Sequence, residues 1–125
     1  MANNPEDFTG YNKVRTDRAV AFAPEAIART ATYNQLSSSA SVAVIAAGTA
    51  AITVNGILAG VNGQRMTIVN LGTGAMTIAD AATAASAVDR ILRQSTSTAA
   101  TTGAGCADLV YVSSSARWIL TNLQA

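Results

Sequence analysis

The sequence predicts an all-β domain, a jelly-roll-like β-sandwich, entered through an extended N-terminal arm. The first observation behind this is the stretch from Gly63 to Asp80. There Met66 and Ile68 alternate with Thr67 and Val69, and Met76 and Ile78 alternate with Thr77 and Ala79. Asn70-Leu71-Gly72-Thr73-Gly74 joins the runs with residues that tolerate positive φ, so the pair reads as a β-hairpin with one apolar face. The second is composition: Thr and Ser are abundant while Lys occurs only at Lys13, which suits hydroxyl-faced strands better than a helical bundle. The third is punctuation, since seven or eight short apolar runs are separated by Gly, Ser and Thr turns.

Taken in order, residues 1–36 read as the arm. They hold Phe8, Phe22, Tyr11, Tyr33, both prolines and a dense mixture of charge. Pro24-Glu25-Ala26-Ile27-Ala28-Arg29 could form a short helix, with Pro24 at its first position and Glu25 near the positive dipole end. The rest of the arm has no sustained period, and Ser37-Ser38-Ser39 reads as a linker. Residues 37–125 then form the sandwich, which is also the oligomerisation domain. Its strands run over Ser41–Ala46, Ala51–Asn55, the central hairpin, Val88–Leu92 and, weakly, Thr96–Ala99. Cys106–Val112 and Arg117–Leu123 close it as a second hairpin. Asp80–Ser86 is almost all Ala and Thr and reads as a loop, with an Ala-rich helical turn as the alternative. No repeat of solenoid period is evident.

Composition bounds the core. Of the residues in the 50% hydrophobic fraction, 27 are alanine, leaving 35 larger apolar side chains in 125 positions, or 28%. Alanine buries little area, so an isolated chain has a thin core and is expected to complete it against identical neighbours. The net charge of +1 favours neither nucleic acid nor a membrane surface. Eight of the 15 charged residues nevertheless fall in the first 29 positions, and none lies between Thr30 and Gln64. The opening Met1–Asp7 is acidic and polar, which argues against a signal peptide. The uncharged stretch Val42–Val61 is long enough to span a bilayer, but Thr49, Thr53, Asn55 and three glycines divide it into short segments, and buried strands are the better reading.

Several motifs downstream of the arm carry a resemblance. Asn62-Gly63-Gln64-Arg65-Met66-Thr67-Ile68-Val69-Asn70, then Gly72-Thr73-Gly74 and Met76-Thr77-Ile78, resembles a β-module of bacteriophage virion proteins: head-decoration and head-fibre proteins, and tail-fibre or spike domains. Ala87-Val88-Asp89-Arg90-Ile91 resembles that family's A-x-N-R-I element, with Asp89 where Asn is usual. Leu109-Val110-Tyr111-Val112 followed by Ser113-Ser114-Ser115-Ala116-Arg117-Trp118 resembles its closing hairpin, whereas the turn at Gly103–Cys106 departs from the pattern. The resemblance covers residues 50 to 123 and implies a structural virion protein. The expected role is a capsid-decoration (cement) homotrimer, made in the host cytoplasm and bound to the major capsid protein on the outside of a phage head. The alternative is a tail-fibre or spike component that binds host surface carbohydrate.

The chemistry-bearing residues fit a structural role. Histidine is absent, which removes Ser-His and Cys-His pairs, His-based zinc sites and the usual general base near neutral pH. Cys106 is alone, and no disulfide within the chain is possible. Asp80, Asp89 and Asp108 could form a glycosidase pair or offer oxygens to Ca²⁺, but they show no D-x-D-x-D-G spacing, and solvated carboxylates are the simpler reading. A carboxylate-dependent hydrolase is therefore the least favoured function. No catalytic residue, cofactor or metal is expected, and the two Gly-x-Gly stretches lack the sequence of a phosphate loop. Trp118 and Tyr111 could stack on sugar, with core packing the preferred reading. The arm is expected to dock on the capsid through Phe8, Tyr11, Arg15, Arg18 and Phe22, because exposed aromatics gain nothing in water and Lys13, Arg15 and Arg18 form the one basic cluster. The competing reading is that Val20–Ile27 folds back over the domain's own sheet edge.

Overall fold

The computed structural model describes residues 23–93 and 99–124. Ten strands form within them: β1 (Glu25–Ile27), β2 (Thr32–Tyr33), β3 (Val42–Ile45), β4 (Ile52–Val54), β5 (Arg65–Asn70), β6 (Met76–Ile78), β7 (Ile91–Arg93), β8 (Ala99–Ala100), β9 (Gly105–Val112) and β10 (Arg117–Gln124). The helical element among the described residues is one 3₁₀ turn, Ala87–Asp89. The all-β expectation holds.

The architecture is a short β-solenoid, not a jelly roll. Successive strands alternate between two sheets: β1, β3 and β5 lie side by side in sheet A, and β2, β4 and β6 in sheet B. Within each set the pairing is parallel and in register, Ala26 with Val44 with Val69 in one sheet and Thr32 with Thr53 with Thr77 in the other. Each sheet-A strand and the sheet-B strand that follows it make one rung, and three rungs stack. A jelly roll is built from antiparallel pairs, which these are not. A short third side also forms, where Leu36 of the first rung bridges Ile57 of the second. Antiparallel pairing appears only after the third rung. There β9 adds to β5, β10 to β9, and β8 to β6, while β7 lies parallel to β10 at the far edge of sheet A.

The central hairpin is accordingly corrected to a corner. β5 and β6 lie in different sheets, and each finds a parallel partner in the rung before it. The Asn70 side chain turns the chain: its Oδ1 accepts from Gly72 N at 3.1 Å and its Nδ2 donates to Gly74 O at 2.9 Å. Those bonds replace the backbone pairing that a hairpin would have made. The second predicted hairpin does form, as β9 and β10 joined through Ser113–Ala116.

The β-domain begins earlier than expected. Residues 25–36 are the first rung rather than arm, and Glu25–Ile27 is a strand where a helix was expected. A parallel strand partner offers β1 the backbone bonds that an isolated helical turn of this length cannot hold. β1 is thus the edge strand of sheet A, which agrees with the fold-back reading for this part of Val20–Ile27. Ser37 and Ser39 are not a free linker, since both hydroxyls donate to Glu25 Oε1, at 2.9 and 2.7 Å. Residues 1–22 and the proposed weak strand's Thr96–Thr98 lie outside the described residues.

Sheets A and B face each other across one core. Ile45, Ile68 and Met66 come from sheet A, Ile52, Met76 and Ile78 from sheet B, and Trp118 closes one end, all at most 2% exposed. The alternation of buried and more exposed residues along β3, β5 and, from Cys106 onward, β9 follows from the two-residue period of a strand.

Candidate interaction surface

The structure separates the residues that sequence reasoning singled out. Phe8, Tyr11, Arg15, Arg18 and Phe22 lie outside the described residues. The three carboxylates take three different jobs. Asp80 accepts from Arg93 N at 2.8 Å. Asp89 is buried, accepting from Gln35 Nε2 and from Ala59 N, both at 2.9 Å. Asp108 stands on the outside of β9 and accepts from Thr67 Oγ1 at 2.6 Å. Among the described residues no group of three His, Cys, Asp or Glu side chains assembles that could hold a metal. Nor is any described helix long and apolar enough to cross a membrane.

The two aromatics of the closing hairpin belong to the core. Trp118 is fully buried and donates from Nε1 to Leu58 O at 3.0 Å, and Tyr111 meets it edge to face with ring centroids 5.3 Å apart. Neither ring presents a face on which sugar could stack.

A polar fastener that sequence reasoning missed lies at the first corner of the rungs. Arg29 donates from Nε and Nη2 to Ala50 O, from Nη1 to Ala46 O and to Asn70 Oδ1, and from Nη2 to Gly74 O. One guanidinium thereby binds all three rungs. Asn70, 1% exposed, completes the network by donating to Gly74 O and Gly103 O. The available signal was Asn70 followed by Gly72 and Gly74, read as turn formers rather than as a receptor for a distant arginine.

The outward faces of the two sheets differ in chemistry. Sheet B carries the row Thr32–Thr53–Thr77 and, beside it, Asn34 and Asn55 joined by a 2.8 Å amide bond. That is a small, hydrophilic face. Sheet A is not. Its outward positions, between the buried ones, fall into rows across the strands. One row is Arg65–Val110–Ile119–Leu92, and the next is Val42–Thr67–Asp108–Asn122. A third is Ala26–Val44–Val69–Cys106–Gln124. A sheet with one face in the core normally turns polar residues outward. Here two apolar patches, Val110–Ile119–Leu92 and Ala26–Val44–Val69, flank a polar middle row. Leu92 is 39% exposed and the valines and Ile119 are half-buried. Cys106, the free thiol, borders the second patch.

Comparison with known proteins adds fold alone. No family model and no curated protein matches the chain. Among solved structures, a chain from a chaperone–substrate complex is similar, with a TM-score of 0.51 at 14% identity. The likeness covers 81% of this chain but 18% of that one, so the chain spans a small part of the structure it matches.

Proposed function

We propose that this chain is a structural virion protein, a homotrimeric capsid-decoration protein that binds the major capsid protein on the outside of a phage head. Its place of work is then the virion surface, after synthesis in the host cytoplasm, and it needs no cofactor or catalytic group. The observation that carries the reading is the apolar outer face of sheet A. A face of Val, Ile and Leu is built to be covered. The motif resemblance over residues 50 to 123 supplies the virion context. Attachment is assigned to residues 1–22, through Phe8, Tyr11, Arg15, Arg18 and Phe22, and self-assembly to the β-domain.

The alternative, a tail-fibre or spike component that binds host carbohydrate, is favoured by one observation. Rungs stacked along a single axis are the architecture of an elongated body, and the edges of β1 and β2 stand at one end of the stack. Adding purified chain back to capsids stripped of accessory proteins, and imaging the particles, separates the readings. Regular decoration of the shell is the expected result. Binding to tails or to host envelope polysaccharide, with bare heads, would establish the alternative.

A further inference from the structure

We infer that Asn62 is a site of spontaneous covalent modification, closing to a succinimide that opens to aspartate or isoaspartate, and that the fold protects Asn55 from the same reaction.

The triplet Val-Asn-Gly occurs twice, at Val54–Gly56 and Val61–Gly63. In each, the glycine nitrogen can attack the asparagine Cγ, because glycine has no Cβ to obstruct the approach. That nitrogen gives its proton to water and the N–Cγ bond forms. The Cγ–Nδ2 bond then breaks, and the leaving nitrogen takes a proton from water and departs as ammonia. Water opens the ring at either carbonyl. One opening leaves aspartate; the other routes the backbone through the side chain as isoaspartate. With the same neighbours on either side, the two asparagines are equivalent in an unfolded chain.

Folding makes them unequal. Gly56 is buried, its N–H donates to Tyr33 O at 3.2 Å, and its carbonyl accepts from Leu36 N at 2.9 Å. A Cβ placed on it would lie 2.5 Å from Ala85 Cβ and 2.6 Å from Asn34 O, so this peptide has no room to turn. The Asn55 amide is itself held by Asn34 Oδ1 at 2.8 Å. Asn55 therefore reacts only when the rungs come apart. Asn62 and Gly63, by contrast, are exposed, and nothing lies within 4 Å of where a Gly63 Cβ would be. They are the central pair of a type II turn, closed from Gln64 N to Val61 O at 2.9 Å with Gly63 at φ 82°.

Two bonds tie this pair to the β9–β10 hairpin. Gly63 N donates to Tyr111 O at 2.8 Å, and Asn62 Oδ1 accepts from Ser113 N at 3.0 Å. Both reacting groups are engaged in that one contact, so its local opening frees them while the core stays closed. Openings of this kind are far more frequent than global unfolding. Isoaspartate at position 62 adds a carbon to the backbone beside β5. Gly63 N and Gln64 O, which now clasp Tyr111 O and Tyr111 N at 2.8 Å each, could not then both keep their partners.

Incubating the full chain in warm, mildly alkaline buffer, with and without denaturing urea, tests the assignment. Peptide mapping by mass spectrometry, with chromatographic separation of aspartate from isoaspartate, reads both sites. In urea the two asparagines are expected to be lost at similar rates. In native buffer Asn62 should be lost at least about tenfold faster than Asn55. Ser113→Pro removes the N–H that Asn62 accepts from, at the second position of a turn closed by Ser115 N to Val112 O, where proline is favoured. The variant is expected to lose Asn62 about fivefold faster in native buffer and at the parent rate in urea. Should it misfold, hydrogen exchange at the Gly63 amide of the unmodified chain replaces it. Exchange and Asn62 loss should then rise together as urea is added below the unfolding transition. Equal native rates at the two sites, or an Asn62 that survives as long as Asn55, would overturn the inference. So would a folded Ser113→Pro chain with an unchanged rate, or an Asn62 loss that ignores the exchange of Gly63.

Discussion

Arg29 holds more of the fold together than its partly exposed position suggests. Its guanidinium, carried by the first rung, reaches four acceptors on the second and third rungs, and replacing it leaves Asn70 and several corner carbonyls short of partners. Arg29→Ala is expected to lower stability by about 2–4 kcal/mol, and chemical denaturation followed by circular dichroism would measure it. Arg29→Lys should recover less than half of that loss, because an ammonium cannot reproduce the planar fork. Asp89 poses a different case. Both its oxygens accept from neutral donors, Gln35 and the backbone of Ala59. Asp89→Asn is expected to cost about 1 kcal/mol or less, since Oδ1 can still serve Ala59 N while the Gln35 amide turns to offer its oxygen. Asp89→Ala, which takes the acceptor from Ala59 N and leaves a gap in a buried site while Gln35 can turn to water, should cost about 2 kcal/mol in the same measurement.

At the scale of elements, the corners decide the topology. A Cβ on Gly74 would run into the carbonyls of Thr49 and Ala50 in the rung below, and backbone cannot move aside as a side chain can. Gly74→Ala is therefore expected to destabilise by about 3 kcal/mol or prevent folding, read from thermal unfolding or soluble yield. The β9–β10 turn shows the opposite opportunity. Ala116 sits at φ 51°, a left-handed conformation that an alanine adopts at a cost. Ala116→Gly should stabilise the chain by up to about 1 kcal/mol and raise its melting temperature; an unchanged or lower temperature would show that unfolded-state entropy outweighs the relief. The contrast with β5 and β6 is instructive. Both connections join alternating runs through small residues, but only Asn70 carries a side chain that satisfies Gly72 and Gly74 locally. That frees β5 and β6 to pair with earlier rungs instead of with each other.

For the whole molecule, the thin core and the apolar outer face belong together. Large side chains are few, and a good share of those present lie on the outside of sheet A rather than between the sheets. Assembly against further copies would bury them. Deleting residues 2–18 tests the division of labour in the proposed function, because the deletion stops short of β1 and leaves every rung intact. The shortened chain is expected to keep its oligomeric state in sedimentation while losing binding to undecorated capsids. Undiminished decoration by that chain would move attachment into the β-domain and refute the role given to Phe8, Tyr11, Arg15 and Arg18.

Local pattern alone determined that the chain is a β-protein. Alternation at Val42–Ile45, Ile52–Val54, Arg65–Asn70 and Met76–Ile78 placed the strands within a residue or two, because a two-residue period is a property of each segment by itself. The β9–β10 hairpin was legible for the same reason, its partner lying a few residues away. Pairing of the remaining strands was decided only in three dimensions. Val44 takes a partner 18 residues earlier at Ala26 and another 25 residues later at Val69, and such unequal rungs leave no fixed repeat to read. The first rung was hidden too: Glu25–Ile27 and Thr32–Tyr33 are too short to show a period, and become strands because β3 and β4 offer them an edge. The interaction face was likewise out of sight, since Val44, Val69, Val110 and Ile119 look like core residues until the sheet shows which side of each strand faces inward. Alternation tells which residues share a side of one strand, but not which side meets the core once both sides are apolar.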